Sequence, residues 1–418
     1  NPSHTYQAVG VYSVTLHVYS GAGADTEMRP GIVSVYEPLV PIVDQSVLVP
    51  ELTPDVSVQS VNPSSIVLDS TDPSTTPVQV GAILVSGEGE GYLRRVTAVH
   101  QTGEDVLVET VDAALTDVFQ QADISASDMF GADDFAKVGI PVEKDGSVSI
   151  RMDHVRAFGN GGTTIDYDGS LEFAPGVDVN LRINDYSVTY FKFDAVGALR
   201  LNFDVWAQTS QTGGLEYERS LFELLHQSKP KKYIYRQIGW APVVIIVELD
   251  LLLGGRISAT GAASIRGGFE STSTVQLMGE YATGSWSGDA DVDLSASLHE
   301  PIWSGGSNLD GRFYLKPKLS AKLYGVTGPH VACMPYTNFK VEPVPAPLRA
   351  SLGAGIDAKL AFDLVDLETF GLGFDAGYEH EFSGPYYALW SYTAPANNAP
   401  TISSVSPNPV PGSNTAQT

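Results

Sequence analysis

Long runs of alternating apolar and polar residues dominate the chain between residues 147 and 390. Successive side chains of a β-strand point to opposite faces, so each run predicts a strand with one buried and one solvated face. Antiparallel sheets tolerate a solvated face, whereas parallel sheets are covered on both sides. We therefore predict an all-β chain built around a large, elongated antiparallel β-sandwich or barrel-like body. The clearest runs are 199–205, 290–298, 356–364 and 372–378.

Two segments have the spacing of a helix instead of the alternation of a strand. The first is 113–122, and the second is 220–228, which places its leucines on one helical face. We expect one or two short helices in a body that spans 78–395, with a subdivision near 146 left open. The body begins with three short β-rich runs at 78–85, 92–99 and 105–110.

The stretch 38–77 carries seven prolines and many serines without helical periodicity. Proline cannot donate to a sheet ladder, and such composition is typical of linkers. We predict an extended linker with one strand at 56–61.

The N-terminal segment alternates apolar with polar residues from Tyr12 to Val18, ahead of a glycine-containing turn at 21–23. This is the period of a half-buried sandwich strand. The segment 2–36 resembles the C-terminal half of a PKD domain, an immunoglobulin-like β-sandwich of extracellular proteins. The matching residues are His4, Thr5, Tyr6, Gly10, Tyr12, Val14, Leu16 and Val18.

At the other end, Ala-Pro-Thr-Ile-Ser-Ser-Val-Ser-Pro-Asn-Pro-Val-Pro-Gly (399–412) resembles the first strand of an IPT/TIG immunoglobulin-like domain. The resemblances imply immunoglobulin-like fragments at 1–37 and 396–418 that flank the linker and the body. Both families occur on exported proteins, which implies a secreted or cell-surface location. Three internal runs resemble an uncharacterised β-rich region of bacterial exported multidomain proteins, which implies no activity: 91–99, 108–123 and 324–331.

The chain is acidic, with 24 Lys+Arg against 49 Asp+Glu and a formal net charge of −25. Because nucleic acids and anionic bilayers require clustered Lys and Arg, we exclude a nucleic-acid partner. One short basic cluster, Lys229, Lys231 and Lys232, follows the second predicted helix. The longest apolar run, 241–253, is too short for a membrane helix, so we expect no membrane insertion.

Few residues suggest catalysis. Cys333 is the only cysteine, and His330 would lie on the opposite face of a strand, so we interpret Cys333 as a buried, inert thiol. In Glu379-His380-Glu381 the imidazole falls on the other face from both carboxylates, which favours a packed histidine. No two of the eight histidines have zinc-ligand spacing. We expect a protein that is not an enzyme.

Two acidic segments are candidates for calcium, which prefers oxygen ligands. In the first, position 6 of a calcium loop requires glycine and is Leu294 here, so the alternation favours a strand with an acidic outer face. In the second, Asp166 and Asp168 follow the glycine-rich turn 160–162, and a hairpin is the alternative. The first set is Asp289, Asp291, Asp293 and Glu300. We expect no cofactor other than calcium.

Three tryptophans are candidates for glycan contact, because exposed aromatic rings stack on sugar rings. Trp206 lies on the polar face of its strand, while Trp286 and Trp303 lie in Gly- and Ser-rich segments that predict turns. The alternative is that these rings pin loops to a sandwich edge. The glycine-rich segment 87–91 lacks the lysine and helix of a phosphate loop, so we interpret it as a turn.

These observations favour a non-enzymatic structural or adhesive module of a secreted or cell-surface prokaryotic protein. Its expected partners are other copies of itself, in an extracellular polymer or surface layer, or neighbouring surface proteins. The alternative is a carbohydrate-binding or carbohydrate-processing module with glycan partners. A third hypothesis, an outer-membrane protein that crosses with long strands, is disfavoured by small residues on the would-be lipid face.

Unpaired strand edges are expected at both immunoglobulin-like fragments. Exposed edges recruit strands, so the tail 399–410 of one copy could add to the edge at Tyr12–Val18 of the next. The alternative is that the full-length protein completes each sandwich within one chain.

Overall fold

The structure is a computed structural model that is described for the following residues. These are 6, 8–20, 23–35, 37, 39–54, 56–70, 78–102, 105–142, 148–282, 284–326, 328–342, 348–362 and 378–393. β-Strands fill most of this chain, which confirms the predicted all-β class. The described helices are short: α1 (Leu115–Val118), α2 (Ala132–Ala136), α3 (Leu221–Leu224) and a 3-10 helix at Pro50–Leu52.

Two smaller sheets come from the N-terminal part of the chain. The first is an antiparallel hairpin of β1 (Gly10–Ser20) and β2 (Gly23–Val35). The second, the small sheet, contains β4 (Val47–Leu48), β5 (Val56–Asn62), β6 (Ser65–Ser70), β7 (Ile83–Ser86), β8 (Tyr92–Thr102) and β9 (Asp105–Asp112). Its strand order is β4-β7-β8-β9-β6-β5, and only the β4–β7 pair is parallel among the described strands.

The front sheet has seven strands in the order β18-β17-β13-β12-β10-β3, and β11 also pairs with β12. These strands are β3 (Ile42–Val43), β10 (Phe119–Met129), β11 (Ser149–Asn160), β12 (Thr163–Asn184), β13 (Ser187–Thr209), β17 (Ala263–Ala282) and β18 (Ser285–Gly305). β12 and β13 contain 22 and 23 residues. At about 3.3 Å per residue each is roughly 70 Å long, which agrees with the predicted elongated body.

The back sheet also has seven strands, in the order β14-β16-β19-β20-β21-β22 with β15 paired to β16. These strands are β14 (Thr212–Ser220), β15 (Lys231–Ile238), β16 (Ala241–Thr260), β19 (Leu309–Leu323), β20 (His330–Glu342), β21 (Arg349–Phe362) and β22 (Tyr378–Thr393). The chain passes between the two sheets three times, after β13, after β16 and after β18.

The front and back sheets form a sandwich around one continuous apolar core. Aromatic rings bridge the two layers: Phe191 and Trp286 of the front sheet lie 5.5 and 4.4 Å from Phe362 of the back sheet. The sandwich has the predicted alternation, since Leu199, Leu201 and Phe203 are buried while the residues between them face solvent. The inner faces therefore supply the core and the outer faces remain polar.

The small sheet is packed against the sandwich through β7, whose four residues are all buried. Ile83 and Val85 join the sandwich core, and Leu84 joins a separate core with Ile66 and Leu68. The predicted turn 87–91 then reaches the back sheet, where Lys231 Nζ lies 2.6 Å from Glu90 Oε1. The small sheet and the sandwich are thus in direct contact.

Two sequence predictions differ from the structure, and the structure also bears on the subdivision near 146 that the sequence left open. The stretch 38–77 was predicted as a linker, but it contributes β3, β4, β5 and β6, and only the predicted strand at 56–61 coincides with one of them. The predicted helix 113–122 is limited to α1, because from Phe119 the chain continues as β10, which pairs with β3 at Phe119 and with β12 from Gln121 onward. Sheet pairing also joins both sides of the boundary near 146, since β10 and β12 are neighbours.

Some predictions fall outside the described residues. These include most of the alternating run 372–378, the IPT/TIG-like tail 399–418, and His4 and Thr5 of the PKD-like segment. The second predicted helix is confirmed in shorter form as α3. No helix in the described part of the chain is long and apolar enough to cross a membrane.

Candidate functional site

A groove of about 840 Å³ crosses the middle of the front sheet. Four neighbouring strands each contribute three consecutive residues to its lining: 172–174 of β12, 198–200 of β13, 272–274 of β17 and 293–295 of β18. The strand register aligns Glu172 with Arg200, Arg200 with Thr272, and Thr272 with Ser295. A volume of this size is typical of sites that hold small organic ligands.

Both ends of the groove are formed by segments outside these four strands. At one end lie Val148 and α2, where the ring of Phe135 packs 5.9 Å from that of Phe130. At the other end lie Pro385 and Tyr387 of β22, and the Tyr387 hydroxyl donates a 3.1 Å hydrogen bond to the carbonyl of Leu294. The groove therefore depends on contacts between the two sheets.

An ion pair fixes α2 at its end of the groove. The Asp134 side chain is almost fully buried, accepts a 3.0 Å hydrogen bond from the backbone of Gly131, and lies 3.1 Å from Lys232 Nζ. Burial alone would raise the pKa of Asp134, but the hydrogen bonds from Gly131 and Lys232 outweigh it and lower the pKa below its ordinary value of 3.8. Asp134 is therefore charged at neutral pH and holds α2 to β15.

The polar lining of the groove is close to electrically balanced. Arg200 Nη1 lies 3.4 Å from Glu172 Oε2, and both side chains are substantially exposed, so the pair contributes at most about 1 kcal/mol to stability. The guanidinium carries five N–H donors, most of which remain for other contacts. Exposed Thr272, Thr274 and Ser295 add hydroxyl groups along the same surface.

Ser273 alternates with Thr272 and Thr274 along β17, so its side chain lies on the inner face of the front sheet while theirs lie on the outer face. It is only 5% exposed, and its hydroxyl has no hydrogen-bond partner among the described residues. Ser271 is 2% exposed, and its hydroxyl also has no hydrogen-bond partner among the described residues, but it does not line the groove. A buried hydroxyl without a partner costs about 1–3 kcal/mol, so a partner for Ser273 is expected.

The first predicted calcium set does not converge on one point. Asp289, Asp291 and Asp293 lie on the exposed face of β18, and Glu300 is exposed farther along the same strand. Alternate residues of a strand are about 6.7 Å apart, so these carboxylates are too far apart to bind one ion. The structure shows the alternative, an acidic outer face on β18. Asp293 also lines the groove.

The second predicted calcium pair lies within β12, and the hairpin turn is at Gly161 and Gly162 as the alternative predicted. Asp166 accepts hydrogen bonds from Arg156 at 2.8 and 3.1 Å. Asp168 accepts a 2.8 Å bond from the His154 backbone.

Asp153, His154 and Asp168 place ligand atoms within 4.8 Å of one another, close enough to hold a metal ion. The hydrogen bond to Asp153 and the charge of Asp168 raise the pKa of His154. Asp153 and His154 are exposed and Asp168 is half-buried, and a protonated His154 pairs with both carboxylates.

The predicted glycan-contact tryptophans are dispersed. Trp206 is 44% exposed on the outer face of β13, as predicted, but Trp286 and Trp303 lie within β18 and not in turns. Trp286 stacks 5.2 Å from Tyr378, and Trp303 lies 5.4 Å from Trp390. These two rings pack between the sheet edges, which agrees with the alternative of a structural role.

The two candidate catalytic residues differ in burial, because Cys333 is enclosed and His380 is not. Cys333 is buried, as predicted, and burial raises the pKa of its thiol to about 12. His380 shares a face with Phe382, 4.4 Å away, while Glu379 and Glu381 approach Lys359 on the other face. The predicted separation of the imidazole from both carboxylates is confirmed, although the histidine is exposed rather than enclosed.

The basic cluster is neutralised by acidic partners. Lys229 pairs with Asp250 at 2.7 Å, Lys231 pairs with Glu90, and Lys232 pairs with Asp134. The cluster therefore ties the segment 229–232 to β16, to the small sheet and to α2 instead of presenting a surface for anions.

The two carboxylates that line the groove lie on different strands. Its carboxylates, Glu172 and Asp293, lie on strands separated by three interstrand spacings, or about 14 Å. Paired carboxylates that hydrolyse glycosides lie roughly 5–9.5 Å apart. Sequence reasoning missed this groove because its residues are far apart in the chain and meet only through strand register.

Comparisons with known proteins give no match. No protein-family model matches the chain. No curated protein and no solved structure matches it either. The PKD-like, IPT/TIG-like and exported β-rich resemblances therefore stay predictions.

Proposed function

We propose that this chain is a non-enzymatic structural and adhesive module of a secreted or cell-surface prokaryotic protein. The observation that carries the proposal is the large groove, whose two carboxylates lie on strands about 14 Å apart, a separation wider than that of the paired carboxylates of glycoside hydrolases. The groove can contact a ligand, but it lacks the paired groups of an acid/base mechanism.

The body around the groove supports the same role. Two seven-stranded sheets with strands of up to 23 residues share one core, and their polar outer faces carry cross-strand ion pairs such as Lys316–Glu218. Such a body suits a rigid spacer that holds a contact surface away from its point of attachment. The PKD-like and IPT/TIG-like resemblances support placement in a string of exported domains.

Two experiments test this proposal together: one locates the protein on producing cells, and the other asks whether the purified chain turns over polysaccharides. Antibodies raised against the chain should label the outside of intact producing cells or their extracellular material, and pre-adsorption with the chain should abolish the label. The purified chain should also leave a panel of polysaccharide substrates intact. Labelling confined to the cell interior, or hydrolysis that Glu172→Gln abolishes, would overturn the proposal.

A further inference from the structure

We propose that a cleft at one end of the sandwich binds one neutral sugar unit. The cleft has a volume of about 280 Å³ and is lined by one end of β11, β12 and β13 from the front sheet and of β14 and β16 from the back sheet. Among the described residues, none lines both this cleft and the groove, so the cleft is a separate site. The inference goes beyond the proposed function because it assigns a second site and its ligand class.

The two walls of the cleft face the same space between the sheets. In the front sheet, Asn160 is paired with the buried Thr163, and Phe158, on the same face of β11, packs against the sandwich core. In the back sheet, Leu215 is paired with the buried Ile257, which belongs to the same core. One ligand in the cleft can therefore contact both walls.

The rim of the cleft is fixed by hydrogen bonds between two connections. The backbone N–H of Ser210, between β13 and β14, donates a 3.0 Å hydrogen bond to the carbonyl of Gly162, in the turn between β11 and β12. The backbone N–H of Gln211 donates a 3.2 Å hydrogen bond to Thr209 Oγ1. Because the rim is held in place without a ligand, binding requires little ordering of the chain.

The chemistry of the lining matches a sugar ring. The amides of Asn160 and Gln211 and the hydroxyl of Thr163 each donate and accept hydrogen bonds, while Phe158 and Leu215 supply apolar surface. A pyranose presents both an apolar C–H face and a rim of hydroxyls, so it uses both kinds of contact.

Size and charge restrict the ligand further. The volume of the cleft lies just below the roughly 300–1,000 Å³ of pockets that enclose drug-sized molecules, so it suits one sugar unit better than a chain. No Asp, Glu, Lys, Arg or His is among the described residues that line it. A charged ligand would lose hydration without meeting an opposite charge, which disfavours acidic and amino sugars.

Thr163 has hydrogen-bonding capacity that the folded chain leaves unused. Its buried hydroxyl makes one hydrogen bond among the described residues, 2.9 Å to Thr209 Oγ1. A hydroxyl offers one donor and two acceptor sites, so capacity remains at the cleft whichever of the two threonines donates. A sugar hydroxyl can use this capacity, and in the bound state the buried group would be better satisfied.

Two glutamine variants give a matched test on the full chain. Gln211 lines the cleft, whereas Gln208, three residues earlier, is exposed and lies outside the lining. Gln211→Ala should weaken sugar binding about three- to tenfold because one amide contact is lost, while Gln208→Ala should leave it unchanged. Both variants should keep the wild-type melting temperature, since both side chains are exposed.

A third variant fills the cleft. Ala259 lines it and is 5% exposed, so Ala259→Leu would occupy the space that the ligand needs. We expect at least a tenfold loss of binding in a chain that keeps its β-rich circular dichroism spectrum. If this variant does not fold, the two glutamine variants decide the question.

The probes are glucose, galactose and N-acetylglucosamine, with glucuronic acid and glucosamine as charged counterparts. Saturation-transfer NMR detects weak binding, and titration gives the ratio of dissociation constants between variants. Binding of a neutral probe with the expected order of variants supports the proposal. Binding of charged probes alone, equal effects of the two glutamine variants, full affinity in folded Ala259→Leu, or no binding at all would overturn it. The proposed structural role would then still stand, since surface labelling tests that role separately.

Discussion

Lys232 Nζ lies 3.1 Å from Oδ2 of Asp134, and this contact joins the back sheet to the short helix that closes one end of the groove. The same ammonium donates a 2.9 Å hydrogen bond to the carbonyl of Met129, at the end of β10. Lys232 therefore positions both the end of β10 and α2, which lie at this end of the groove. Without Lys232, Asp134 would keep a buried negative charge with no comparably close cation.

We expect Lys232→Met to lower the free energy of unfolding by about 2 kcal/mol or more, because a buried carboxylate loses its main partner. Urea unfolding of the full chain measures the change. The double variant Lys232→Met with Asp134→Asn should recover part of the loss, since the unpaired charge is then absent. A loss below about 0.5 kcal/mol for the single variant would contradict the assigned role.

Asp134 should also contribute to stability in a pH-dependent way. Its pKa in the folded chain is lower than 3.8, so its contribution is complete above that pH and is lost as the pH falls through the folded pKa. Asp134→Asn should therefore flatten the fall in unfolding free energy in acid. Asp133→Asn, at the exposed neighbouring position, controls for the loss of one carboxylate from α2.

Gly169 should tolerate no side chain. It has a φ of +138° within β12, opposite the irregular part of β11, and an added Cβ would lie 2.0 Å from the backbone oxygen of Asn202. We expect Gly169→Ala to destabilise the fold by more than about 3 kcal/mol, measured by thermal or urea unfolding. Gly306→Ala is the matched control, because its Cβ would meet nothing within 4 Å. Equal stabilities of the two variants would refute this explanation.

Cys333 should be chemically silent in the folded chain. Its thiol is buried, and burial raises its pKa to about 12, so little thiolate is present at pH 8. A disulfide reagent should react only when urea unfolds the chain. Cys333→Ala should cost roughly 1 kcal/mol of unfolding free energy. Fast labelling of the native chain would show that the thiol is accessible.

Hydrogen exchange should distinguish the observed small sheet from the predicted linker. β6 is paired with β5 and β9, and its Ile66 and Leu68 side chains are fully buried. We expect the β6 amides to exchange far more slowly than those of a linker. Rapid exchange throughout 65–70 would favour the linker instead.

The parts of the fold that sequence could predict are those with local signals. The alternation through 199–205 fixes which residues face the core, because the period of a strand is two whatever its neighbours are. The stretch 38–77 was predicted as a linker because its proline content was given more weight than the short alternation in β6. Pro63 and Pro73 lie outside that strand, so they do not interrupt it. The helix predicted from 113 fails because Ala122 and Ile124 pair with β12, sixty residues away, and that pairing outweighs local propensity.

The candidate site depends on information that the sequence does not show directly. Glu172 and Arg200 are adjacent only because β12 and β13 pair in one register, and a shift of one residue would turn either side chain to the other face. Asp293 was singled out as a calcium ligand, yet its neighbours in the sheet come from β17. The unpartnered hydroxyl of Ser273 has no signature in the sequence, because serine is common on both faces of these strands.

The three passages of the chain between the front and back sheets have a thermodynamic consequence. Neither sheet consists of one continuous segment, because β14–β16 of the back sheet lie between β13 and β17 in the chain, and β17–β18 of the front sheet lie between β16 and β19. The sandwich should melt in a single transition, with equal calorimetric and van't Hoff enthalpies for that part of the chain. Insertions in its loops should therefore be tolerated. Deletion of a hairpin should prevent the rest of the sandwich from folding, in contrast to arrays of independent repeats.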